Sequence, residues 1–160
     1  YNRGESYIEK NLSDRAITDF TKAIEINPNL AEAYYDRGRE YDKNGLSTKA
    51  IEDYTKAIEI NSNFFIAYSN RARVYFINNF PEKALEDYTK AIEINPNYAE
   101  AYFNRGRFYV IGSLTDKAIE DFNKSIEINP KYAEAYSNRG QAYYEKGLLD
   151  KKGVGSLFGR

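Results

Sequence analysis

The strongest constraint on this chain is its self-similarity. The hexapeptide KAIEIN stands at 22–27, 56–61 and 90–95 and its variant KSIEIN at 124–129, so each copy begins 34 residues after the last. The same step carries Tyr34 to Tyr68, Tyr102 and Tyr136, and Ala16 to Ala50, Ala84 and Ala118. Residues 31–64 and 99–132 agree at 19 of 34 positions. A fixed period of this length marks a unit that cannot bury its own apolar face and must stack on copies of itself. Residues 1–150 therefore read as one array. Its units are 1–30 (lacking the first four places), 31–64, 65–98, 99–132 and an incomplete 133–150, with 151–160 read as a flexible tail or a non-native addition.

Within a unit the apolar spacing chooses helix over strand. Ala33, Tyr34, Arg37, Gly38 and Tyr41 recur at three and four residues, the helical period, and define a helix A. Ala50, Ile51, Tyr54, Ala57 and Ile58 repeat the pattern in a helix B, with Ser47 expected as its N-cap and Asn-Pro pairs of other copies marking the stop. Helices of about a dozen residues with one apolar stripe are not stable alone, so each must lie on its partner and on the next copy. At the far end Lys152 stands where the alanine of helix B belongs, and Gly153, Gly155 and Gly159 interrupt a helix. The expectation is four hairpins, the first truncated, closed by a ninth helix from about Glu134 to Lys146.

These residues resemble the tetratricopeptide repeat family: Ala-x-Ala-Tyr-x-x-x-Gly-x-x-Tyr in helix A, then Lys-Ala-Ile-x-Asp-Tyr/Phe-x-Lys-Ala-Ile-x-Ile-Asn-Pro in helix B, over Tyr1 to about Leu149. The departures are Ser62 for the usual Pro, Ala72 for the small Gly, and the failing last copy. The resemblance implies an all-α fold, a right-handed superhelical solenoid of antiparallel helix hairpins, acting as a non-enzymatic scaffold that receives a peptide in its concave groove.

The open side of helix A corresponds to that groove. Its sixth place reads Asn2, Asp36, Asn70, Asn104, Asn138 down the copies, and its ninth Glu5, Arg39, Arg73, Arg107, Gln141. An amide side chain donates and accepts at once, so Asn70, Asn104 and Asn138 suit the backbone of an extended peptide, as the family's asparagine ladder implies. Arginine beside them adds forked donors for carboxylates. Phe76, Ile77, Phe103 and Ile111 are expected between these rungs, with Ile66 and Val110, and a patch of this kind points to a partner. The expected ligand is a protein or peptide with apolar anchors and acidic groups. The chaperone-tail clamp of some family members is disfavoured, because its basic places hold Glu32, Ile66, Glu100 and Tyr35, Ser69, Phe103. Arg37, Arg71, Arg105 and Arg139 fall instead on the packed flank, near Asp19, Asp53, Asp87 and Asp121, as structural ion pairs. The outer face of helix B carries Glu52–Lys56, Glu86–Lys90 and Glu120–Lys124 at the favourable i,i+4 spacing.

Composition removes most other classes. Cys, His, Met and Trp are absent, which excludes thiol and imidazole catalysis and the common zinc, haem and copper ligand sets. A net charge of −1 gives no global field for nucleic acid or an anionic membrane. No run reaches the roughly 18 apolar residues of a membrane span. Asp42, Asn44 and Gly45 mimic the start of a calcium loop, but the glycine comes too soon and no bidentate Glu follows. No cofactor or metal is expected. Both ends of the array cut within a copy, which leaves uncapped apolar surface, so end-to-end homo-association is a further expectation.

Overall fold

A computed structural model of the protein describes the backbone of residues 2–157 and the side chains of residues 12–148. Eight helices follow in order: α1 (Asn2–Ile26), α2 (Ala31–Lys43), α3 (Ser47–Ile60), α4 (Phe65–Ile77), α5 (Pro81–Ile94), α6 (Ala99–Ile111), α7 (Thr115–Ile128) and α8 (Ala133–Leu157), with no strand among the described residues. The fold is an all-α helical repeat. The chain forms two compact units, Tyr1–Ile94 and Asn95–Arg160. In the first, α1 packs on α2, α2 on α3, α3 on α4 and α4 on α5; in the second, α7 packs on α6 and on α8.

The A-to-B turn of each complete hairpin is built from backbone hydrogen bonds. Leu46, Phe80 and Leu114 donate their N–H to the carbonyls of Tyr41, Tyr75 and Tyr109, while Gly45, Asn79 and Ser113 donate to Asp42, Phe76 and Val110. This pair of bonds requires a left-handed residue just past helix A, and Gly45, Asn79 and Ser113 have φ of 72°, 63° and 57°. Helix B then starts at once. Ser47 is its first helical residue, not its N-cap; Leu46 occupies the cap position and no side chain caps it. Pro81 fits the same first position in α5, where a missing N–H costs nothing. Between copies, the side-chain oxygens of Asn27, Asn61, Asn95 and Asn129 each accept the N–H two residues on. This turn needs only the asparagine, and the same bond forms in the copy where Ser62 stands in place of proline.

The two end copies depart from the expected pattern. The first copy's two helices are one continuous α1, and α8 continues past the predicted end near Lys146, through Gly147, to Leu157. Asn11 and Gly147 occupy the turn place of their copies but remain helical. A positive φ is strained for every residue but glycine and is offset only when a whole helix B folds back onto a whole helix A. The first copy lacks four places of helix A, and the last has Lys152 in place of the packing alanine. Residues 158–160, including Phe158 and Gly159, and the side chains of Asn2, Glu5, Glu9, Val154 and Leu157 lie outside the described ones.

The core is a file of small residues keyed by aromatics. Ala50, Ala57, Ala84, Ala91 and Ala118 are fully buried, together with Tyr54, Tyr88 and Phe122. The Tyr54 ring comes within 3.0 Å of where a Cβ on Gly38 would stand, and the Phe122 ring within 2.7 Å of one on Gly106. The ion pairs expected on the packed flank form in three copies. Arg37 grips Asp53 at 2.7 and 2.8 Å, Arg71 grips Asp87 at 2.7 and 2.8 Å, and Arg105 grips Asp121 at 2.8 and 2.8 Å. Arg37 and Arg71 also donate to Thr21 and Thr55 of the preceding helix B, at 3.1 and 2.9 Å. Burial and the paired carboxylate oppose one another at these guanidinium groups, and the pairing prevails, holding Arg37, Arg71 and Arg105 above the usual arginine range. On the outer face, lysine pairs with the glutamate three residues on, as in Lys56–Glu59, Lys90–Glu93 and Lys124–Glu127, rather than with the one four residues before; the two spacings are both neighbours on a helix surface.

Candidate functional site

The A helices carry the predicted site residues, and each unit displays its own set. In the first unit α2 supplies Arg39 and α4 supplies Asn70, Arg73, Phe76 and Ile77. Asn70 is half-buried and donates its Nδ2 to the Tyr35 hydroxyl at 3.0 Å. The Arg39 guanidinium lies 5.7 Å from the centre of the same tyrosine ring and approaches Asp36 no closer than 3.6 Å. Arg73 is more committed, because it donates to the nearly buried Asp42 carboxylate. Phe76 is half-buried, whereas Ile77 is 65% exposed.

In the second unit α6 supplies Phe103, Asn104, Arg107 and Ile111, and α8 supplies Asn138. Phe103 corrects the sequence expectation. It is only 7% exposed and belongs to the core, its ring 4.7 Å from Tyr132 and 6.0 Å from Phe122. A ring at this place fills the gap beneath the next A helix, so packing needs it and a ligand cannot displace it. Arg107 lies over that ring at 5.8 Å, exposed, with no carboxylate partner among the described residues. Ile111 is 68% exposed. Asn104 is half-buried, and Asn138 turns its amide back to the Glu134 carbonyl of its own helix at 2.8 Å. Beside Arg107, burial pushes the Tyr132 hydroxyl up to about 12, with the carboxylates of Glu100 and Glu134 adding to the shift and Arg107 opposing it.

The three arginines are thus unequal: Arg73 is held, Arg39 is loosely held and Arg107 has no ion-pair partner among the described residues. Sequence reasoning missed Asp42 and Tyr35 as the groups that hold their neighbours. The signal was present as separations of 31 and 35 residues, which bring the end of one A helix beside the middle of the next.

A cavity of about 760 Å³ in the first unit lies apart from these residues, lined on α4 and α5 by Tyr68, Arg71, Glu82, Glu86 and Lys90 among others. Among the described residues no group of three or more acidic side chains could cage a metal, and no helix is long and apolar enough to cross a membrane. The arrangement offers donors and apolar contacts on an exposed helix face.

A family model described as TPR repeat matches residues 4–45, 81–112 and 114–147, and one described as tetratricopeptide repeat matches 31–64. No curated protein sequence matches the chain significantly. Among solved structures, MamA is 33% identical over 92% of this chain and 86% of its own, with a TM-score of 0.79. The first TPR of Spaghetti (RPAP3) bound to the HSP90 peptide SRMEEVD is 26% identical over 73% of this chain and 93% of its own, with a TM-score of 0.70. YrrB, described as a TPR protein with an unusual peptide-binding site, is 27% identical over 91% of this chain and 75% of its own, with a TM-score of 0.69.

Proposed function

The chain belongs to the tetratricopeptide repeat family of protein-interaction scaffolds, and from that premise we propose that it is a non-enzymatic module that captures an acidic peptide on the exposed faces of its A helices. The observation that carries this reading is Arg107: an exposed guanidinium on a face that packing does not use, without an ion-pair partner among the described residues and next to the exposed Ile111 one turn on. A peptide carboxylate at Arg107 and an apolar side chain at Ile111 satisfy both at once. The first unit offers a weaker version of the same chemistry through Arg39, Asn70 and Ile77. Solved relatives that bind peptides support the reading, one of them with an acidic HSP90 peptide. The test is a peptide array of acidic and neutral sequences bearing apolar anchors, probed at low and high salt. The wild-type chain binds the acidic members, and salt weakens that binding. Arg107→Glu lowers binding at least tenfold, and the double variant R39E/R107E abolishes it with the helical circular dichroism unchanged. Equal binding by R107E rejects the reading.

A second reading, a self-assembling repeat array without a specific peptide ligand, is favoured by a separate observation: Tyr136 and Tyr143 of α8 are exposed at places that are half-buried in the other copies.

A further inference from the structure

The arginines on the A-helix faces meet a ligand in different states. On α4, Arg73 donates to the carboxylate of Asp42 at the end of α2, and the Asp42 side chain is only 13% exposed. On α2, Arg39 has Asp36 at 3.6 Å. The first unit therefore sets two arginines against two aspartates, and each cation has its anion on the same surface. Arg107 of the second unit has no ion-pair partner among the described residues.

Asp42 stands toward Arg73 as a ligand's carboxylate would. Its attachment through the chain spares it the translational freedom that a separate peptide gives up on binding, so it competes from a high effective concentration. Drawing Arg73 away leaves a nearly buried carboxylate without a counter-ion, which is strongly unfavourable. Among the described residues Arg73 is the one ion-pair partner of Asp42. Tyr54 is no substitute for that cation. Its phenol is fully buried, its hydroxyl has no hydrogen bond among the described residues, and burial holds its proton on, with Asp42 adding to the shift and Arg73 opposing it. An acidic group arriving at Arg73 meets a second carboxylate already there, and like charges side by side repel.

What the same face leaves open is uncharged. Ile77 is 65% exposed one turn beyond Arg73. Asn70 gives its Nδ2 to the Tyr35 hydroxyl at 3.0 Å, which leaves its amide oxygen to accept from a backbone N–H. Resting on the peptide-capture reading above, we propose that Asp42 sets ligand specificity in the first unit. It fills the Arg73 site with the chain's own carboxylate, so this unit favours an uncharged, apolar segment of a ligand protein, and acidic recognition falls mainly to Arg107.

Fluorescence anisotropy of the full chain tests this with two labelled peptides, one carrying glutamates between leucine anchors and one carrying glutamines in their place. In the R107E chain, adding Asp42→Asn or Asp42→Ala raises affinity for the acidic peptide at least tenfold, and adding Arg73→Gln as well removes the gain. Alanine accompanies asparagine because an Asn amide oxygen can go on accepting from Arg73. Affinity for the glutamine peptide changes by less than about twofold in every one of these chains. Replacing the pair together in an otherwise wild-type chain, D42N/R73Q, leaves affinity for the acidic peptide within about twofold, because the pair offers a ligand no net charge. If the wild-type and R107E chains bind the acidic peptide equally, the Arg107 reading fails, and the gain of each Asp42 variant over its parent chain still decides the role of Asp42. No gain from either Asp42 variant with the helical circular dichroism kept overturns the proposal, as does a tenfold loss in D42N/R73Q.

Discussion

At Gly106 the Phe122 ring comes within 2.7 Å of the position a Cβ would take, and both partners of that contact are locked in the core. Gly106→Ala therefore destabilises the chain by about 1–3 kcal/mol through overpacking. Gly147, helical and with nothing within 4 Å of its Cβ position, responds in the opposite sense: Gly147→Ala gains up to about 1 kcal/mol of helix propensity. Thermal melts of the two variants at low protein concentration check the signs, and a stabilised Gly106→Ala would refute the packing account. The same residue scale shows what the sequence could and could not disclose. The Arg37–Asp53 pair was legible because its spacing of 16 recurs down the array, so a copied unit announces it. Arg73–Asp42 joins different places of adjacent copies, and its acid occurs in one copy only, so no periodicity betrays it. Phe103 was misassigned because its place holds Tyr35, Ser69 and Ser137 in other copies, and no average over such residues says which side of the helix is filled.

The helices themselves were legible from the spacing of their apolar residues, and their boundaries were set by the turn between them. That turn demands one left-handed residue, which the chain supplies as glycine once and as Asn79 and Ser113 in two other hairpins. Ser113→Gly relieves strain and raises stability by about 0.5–1 kcal/mol, while Gly45→Ala lowers it by about 1 kcal/mol or more. Chemical denaturation of both variants reads the difference, and a loss of stability in Ser113→Gly would count against the strain argument. The end helices escaped the sequence reading for a reason that belongs to elements: Asn11 and Gly147 are turn residues by position, but a hairpin closes only when both its arms are whole. Local signal names a turn, and packing decides whether it is used.

At the scale of the molecule, stability follows neighbours. In a stack each copy is held by the ones beside it, so opening begins at the ends. Hydrogen exchange on the dilute chain is expected to be fastest in α1 and α8 and slowest in α2, α3, α4 and α7, each of which lies between two helices of its own unit; uniform protection along the chain would contradict this. The buried arginine and its aspartate have a further consequence, because both belong to a single 34-residue block. A duplication or deletion of one whole block by unequal recombination never parts a cation from its anion. The length of such a gene can drift in steps of one block while the most expensive charges inside the protein stay neutralised.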